Sequence, residues 1–271
     1  SEMCIRDREY IKKLGIQDEL RRCISEGFEG FELYFQPIYN PQNDKLSGAE
    51  ALIRWNCSKY GFMEPDKFIP LLEESALIIP LGRWIINTAA KACNRWITSI
   101  PDFVMHINLS FVQIVKSNII KDVLEYIGKY SAANNHYVFE ITETIEMDRI
   151  PAVERVFKEF IKNDFRLAID DFGTGYSNYG YMRDKTFDIV KVDRSFITDI
   201  DKRKNNYLMV SFIIKMAHEM GLHVCIEGVE TKEELACVRE LGADYIQGYY
   251  YGKPVCVADF EEQHLKKLIL G

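Results

Sequence analysis

The sequence predicts an α/β protein built as one TIM-type (β/α)8 barrel, with a first strand that runs antiparallel to its neighbour. Three observations predict it. Eight short strand-like runs alternate with helical patterns from residue 31 onward. The connection between the first two runs is too short for a crossover. Each of the eight also carries at least one polar residue within apolar sequence, the pattern of a barrel whose strands end at a common site. The 271 residues suit a single unit, since such barrels typically need about 250.

Residues 1–30, rich in charge, read as a helical lead-in containing IQDELRRCISEGF, with 1–19 placed outside and 20–271 inside the barrel domain. The first strand is FELYFQPIYN (31–40) and the second LSGAEALIRW (46–55). Only PQNDK separates them, whereas a parallel crossover needs a dozen residues or more, so they form a hairpin. The link to the third strand, FVMHINLS (103–110), is correspondingly long and should hold two helices, at 65–79 and 80–99, joined at Pro80 and Gly82. Strands four to eight are YVFEITE (137–143), RLAIDDFG (166–173), DIVKVDRSF (188–196), HVCIEGVE (223–230) and DYIQGYY (244–250). Between the last three, NNYLMVSFIIKMAHEMG places apolar residues at helical spacing before a glycine stop. In TKEELACVRELG, Thr231 is the N-cap, Glu234 completes a capping box and Gly242 ends the helix.

A net charge of -7 argues against a polymeric nucleic-acid partner held by a basic face, while leaving room for a small anion bound through metal ions. The seven cysteines are scattered, odd in number and free of C-x-x-C pairs, which fits a reducing cytoplasm and no disulfide or zinc framework. No apolar run reaches the 18 or so residues of a membrane span, so direct membrane insertion is not expected.

The polar residues in the strands are Gln36, Glu50, Arg54, Asn108, Glu140, Asp170, Asp171, Lys191, Glu227 and Gln247. Buried polar groups are costly unless paired, and in this fold those near strand ends converge on the active-site mouth. Asp170 and Asp171 close the fifth strand, with side chains expected on opposite faces of the pleat. Gly173 and Gly175 make the following FGTGYSN a loop able to reshape. Five carboxylates against Lys191 and Arg54 would repel or take up protons, a conflict that divalent cations resolve. The donors are oxygens without clustered His or Cys, which favours Mg2+ or Mn2+ over Zn2+. Adjacent aspartates suit a pair of ions, as used to clamp the attacking and leaving oxygens in phosphoryl displacement. The five histidines form no ligand pattern, and His106 is read as structural.

From about residue 20 to 265 the sequence resembles the EAL domain family of bacterial cyclic di-GMP phosphodiesterases. GAEALIRW, FQPI, NLS, EITE, DDFGTGYS, VKVDRSF, EGVET and QGYYYGKP stand in the family's order. The resemblance implies hydrolysis of cyclic di-GMP to linear 5'-pGpG by a two-metal mechanism with Mg2+ or Mn2+, inhibited by Ca2+, and a barrel with an antiparallel first strand. It implies Glu50, Asn108, Glu140 and Asp170 as ligands of one metal, Asp170 bridging to a second held also by Asp171. Catalytic roles fall to Glu227 as base or water-positioning group, Lys191 at the nucleophilic water, and Glu50. Substrate contacts are implied for Gln36, Glu50, Leu52, Arg54, Asp171, Glu230 and Gln247, with Gln247 also supporting Glu227 and Glu230 organising the site. Glu143 would anchor the loop at 172–180. A homodimer is implied as well, with Tyr179, Tyr181 and Met182 available as contacts; the expected location is the cytoplasm, with room for a regulatory domain outside this sequence and for a tether to a membrane or sensor domain. Ile226 and Asn178 depart from the family pattern; Ile226 is expected to crowd the wall that receives the base, and Asn178 to alter loop closure. Three other readings stay open: a receptor that binds cyclic di-GMP without cutting it, a barrel enzyme for another phosphodiester, and a purely structural polar network.

Overall fold

Period-two alternation of buried positions puts Phe31–Asn40 (β1) and Lys45–Cys57 (β2) into one long hairpin in the computed structural model, which describes residues 2–142, 151–174 and 186–266, with side chains from residue 10 on. Their antiparallel register runs from Phe31 opposite Trp55 to Asn40 opposite Lys45. Gly61–Met63 (β3) folds back on the end of β2. Parallel strands follow at Val104–Asn108 (β4), Tyr137–Thr142 (β5), Arg166–Phe172 (β6), Ile189–Val192 (β7), His223–Glu227 (β8) and Tyr245–Gln247 (β9). Antiparallel pairing of β1 with both β2 and β9 closes the ring, and Val255–Cys256 (β10) adds to the outer edge of β1. The predicted barrel and its antiparallel first strand are therefore correct. Strands β3 and β10 were not predicted, because two or three residues carry no readable alternation.

The two helices after β3 span Pro65–Glu74 and Ile78–Trp96, so the join lies at 75–77 rather than at Pro80 and Gly82. Ala76 takes a left-handed φ of 56° there. Pro80 sits in the first turn of the second helix, where an N–H would have no intrahelical acceptor, and so does not break it. Helix Lys232–Glu240 carries the predicted capping box, with Thr231 accepting from the Glu234 N–H, and Gly242 follows with φ 84°.

Between barrel and helices the core is aromatic: Trp96 stacks on Phe260 at 4.6 Å and meets Phe35 edge-on at 4.9 Å. Inside the barrel, a separate apolar layer of Ile38, Val138, Ala168, Ile189 and Cys225 supports the polar residues above it. No helix among the described residues is long and apolar enough to cross a membrane.

At the barrel's lower rim, Asp244 accepts hydrogen bonds from the Val224 N–H and His218 Nε2, both at 2.8 Å, and lies 3.3 Å from His223 Nδ1. Burial pushes the Asp244 carboxyl up, but the bonds from His223, Val224 and His218 outweigh it and hold it at about 2. The same contact raises His223 above the usual histidine value. Asp244 thus adds stability above about pH 4 that is lost as pH falls through about 2, and His223 adds stability below about pH 6.5 that is lost as pH rises through its higher folded value. Asp244→Asn is expected to lower stability by about 1–2 kcal/mol between pH 4.5 and 6, read by thermal unfolding; a midpoint unchanged across that window would contradict the assignment.

Candidate active site

Eight barrel strands bring their polar residues to one mouth, the end at which the parallel strands finish. Lys191, on β7, is completely buried beneath it. Its Nζ lies 2.7 Å from Glu140 on β5 and from Glu227 on β8, 3.2 Å from Asp170 on β6 and 3.3 Å from Glu50 on β2. Asn108, at the end of β4, donates to Glu50 Oε1 at 2.6 Å, and Gln247 on β9 donates to Glu50 Oε2 at 2.5 Å and to Gln36 Oε1 at 3.0 Å. His106, two residues before Asn108, has its Nδ1 2.7 Å from Glu140 Oε1.

Asp171 departs from the expectation of opposite faces. It has a left-handed φ of 55°, and the β6–β7 register shifts between Ile169 and Phe172, the mark of a bulge. The irregularity turns the second carboxylate toward the same mouth, so that oxygens of Asp170, Asp171 and Glu227 lie within 4.8 Å of one another. Gly228 then leaves β8 with φ 74°; a Cβ there would stand 2.2 Å from Arg194 Cβ, so a bulkier residue would push the cavity wall apart.

One ammonium does not neutralise five carboxylates in a desolvated site. Burial, with Glu50 and Asp170 adding to it, pushes Glu140 well above the carboxylate range despite Lys191. Burial lifts Glu227 to about 8, against the pull of Lys191, and lifts Asp171 with Asp170 beside it. Glu50 is the exception: burial raises it, but Lys191 and the bonds from Gln247 and Asn108 bring it below its usual value. Lys191 itself would be lowered by burial, and the surrounding carboxylates instead hold it well above the usual lysine range.

Above this layer opens a cavity of ≈ 310 Å³ lined by Gln36, Glu50, Leu52, Asp170, Asp171, Glu227, Glu230 and Gln247, all of them named from sequence. Arg54 stands farther along β2, outside that lining, with Nη1 donating to its own Ile53 carbonyl and the guanidinium 5.6 Å from the Tyr34 ring. Ile226 does not crowd the wall as expected; it is fully buried in the core between sheet and helices. Glu143, Asn178, Tyr179, Tyr181 and Met182 lie outside the described residues. Sequence reasoning missed Asp193, Arg194 and Tyr249, which also line the cavity. Asp193 and Arg194 had a signal, charged residues directly after a buried strand; Tyr249 had none, since the run of tyrosines at 249–251 does not distinguish its members.

An all-oxygen carboxylate set fits a hard divalent cation such as Mg2+ or Mn2+. Asp170 Oδ1 is buried and, although close to Lys191, accepts no well-directed hydrogen bond, leaving acceptor capacity for an ion.

Residues 17–254 match the family model described as "EAL domain". The chain is 31% identical over 266 residues to the probable cyclic di-GMP phosphodiesterase PdeG of Escherichia coli, covering 98% of this chain and 51% of that protein. It spans 38% and 31% of two other curated relatives, from Synechocystis and Bacillus subtilis, and so corresponds to part of their length. Among solved structures, the EAL enzyme Bd1971 with cAMP and cyclic di-GMP bound superimposes with a TM-score of 0.88 at 32% identity, over 96% of this chain and 70% of that one. The MucR phosphodiesterase in complex with c-di-GMP gives 0.84 at 27%, over 91% and 99%.

Proposed function

The chain belongs to the EAL domain family, and from that premise we propose that it hydrolyses cyclic di-GMP to linear 5'-pGpG with divalent cations held at the barrel mouth. The observation that carries the proposal is the convergence of Glu50, Glu140, Asp170, Asp171 and Glu227 around a single buried lysine. Asp170 and Asp171, with Glu50, Asn108 and Glu140, would hold Mg2+ or Mn2+, which when bound supplies a Lewis acid for the phosphodiester and lowers the pKa of water.

The remaining work falls to side chains. Glu227, raised toward neutral pH, accepts the proton of the attacking water, the protonation range a general base needs. The water oxygen bonds to phosphorus as the P–O3' bond breaks, and the 3' oxygen takes up a proton from solvent water while Glu227 returns its own to solvent, which gives a 5' phosphate and a 3' hydroxyl. Lys191, 2.7 Å from Glu227, orients that carboxylate and steadies negative charge as it develops. Gln247 and Gln36 hold Glu50 and the floor of the substrate cavity in place. Asp171, Glu230 and Leu52 line the space for the nucleotide, and Arg54, farther along β2 and outside that lining, would turn its guanidinium to a phosphate. The proposal includes a homodimer, read by sedimentation.

Turnover tests the reading. Incubation of the chain with cyclic di-GMP is expected to give 5'-pGpG in Mg2+ or Mn2+, with cyclic mononucleotides left intact. Tight binding without product would instead make the chain a receptor. Excess Ca2+ is expected to inhibit by at least about tenfold, because its larger and looser oxygen shell places the reacting oxygens poorly; undiminished product formation in Ca2+ alone would contradict the metal's part.

A further inference from the structure

The other end of the barrel, where the parallel strands begin, opens on a second cavity of ≈ 600 Å³. It lies across the apolar layer from the active site: Arg166 opens β6 and Asp170 stands four residues on, about 13 Å along the strand. Barrels of this kind commonly fill that end with bulky branched side chains. Here the layer above it includes the small side chains of Ala168 and Cys225, and the space below is in the size range of a small-molecule site.

We propose that this cavity is a second binding site, for a small organic anion held between Lys45 and Arg166 beneath His106. Both cations line it, and neither makes an ion pair among the described residues. The Arg166 guanidinium is already oriented: Nε and Nη2 donate to the Asn135 carbonyl at 3.1 and 2.7 Å, leaving Nη1 for a ligand. The single carboxylate among the described lining residues is Asp102, exposed, so the cavity carries a positive excess in a chain of net charge -7. His106 supplies the second, independent observation. The residue is 4% exposed and lines the cavity, and with Nδ1 engaged by Glu140 its other ring nitrogen remains for an occupant. An occupant bearing a hydroxyl beside its anionic group would give this ring nitrogen a partner within the cavity. Asn43 and Asn135 add polar edges at the rim.

The test is isothermal titration of the chain, in Mg2+ buffer, with inorganic phosphate and with glycerol 3-phosphate. Saturable binding of glycerol 3-phosphate is expected, weakened about tenfold or more by Lys45→Gln and by Arg166→Gln, since each removes a charge-assisted bond. Lys45 is exposed, so Lys45→Gln keeps the test decisive even where Arg166→Gln, which also loses the bonds to Asn135, fails to fold. Arg54→Gln, at the opposite mouth, is expected to leave the affinity unchanged. No saturable binding of either probe up to about 10 mM, or affinity insensitive to Lys45→Gln but lost in Arg54→Gln, would overturn the proposal.

Discussion

Asp170→Asn is expected to lower cyclic di-GMP turnover at millimolar Mg2+ by at least about a hundredfold, because losing only the hydrogen-bond partner of a metal ligand already costs about 10–100-fold. The substitution keeps shape and removes charge where the charge matters most. The Asp170 carboxylate faces Lys191, at 3.2 Å, groups with Asp171 and Glu227 within 4.8 Å, and keeps a buried Oδ1 that accepts no hydrogen bond. The metal-free variant should melt no lower than the parent, since one of five crowded carboxylates has been neutralised. What it should lose is the rise in melting temperature that Mn2+ gives the parent, because an ion that binds the folded state alone stabilises it. The two readouts together separate loss of an ion site from loss of the fold. Parent-like activity at ordinary Mg2+ concentrations would contradict the role given to Asp170.

Glu227→Gln is expected to reduce turnover by about 10²–10⁴-fold while the affinity for cyclic di-GMP stays within a fewfold of the parent, the usual range for removal of a general base. The amide has nearly the same volume and still meets Lys191, but it takes no proton from water. Burial and two neighbouring carboxylates already hold this side chain near neutral pH, which marks it as the proton acceptor more than Glu50, which lies below its usual value. The split between lost rate and retained binding is the signature to look for. Unchanged turnover would remove Glu227 from the mechanism.

Much of this was legible in the residues. Each of the eight barrel strands announced itself by an apolar run, and a polar member of each run marked the inward-facing, upper end of the barrel. PQNDK was too short for anything but a hairpin, and the β1–β2 register confirms the direction it implied. Thr231 and Glu234 spelled out their capping box. The gaps have physical causes. Pairing of Asp170 with Asp171 depends on a bulge and a left-handed φ, and period-two reasoning assumes that neither exists. The helix break at 75–77 was misplaced because Pro80 looks like a breaker in sequence, whereas its position in the first turn makes it harmless. His106, an ordinary strand residue by pattern, turns out to tie Glu140 from below, a contact between strands that no local pattern encodes. Ile226 was assigned to the wrong side of β8: it neighbours Glu227 in sequence and therefore points away from it, into the core.

The most direct test of the central claim is an anomalous difference map from crystals grown with Mn2+. Anomalous peaks are expected at the mouth of the barrel, against Asp170 and Asp171, where the carboxylates crowd around Lys191. A map with no peak near Asp170 at saturating Mn2+ would contradict it.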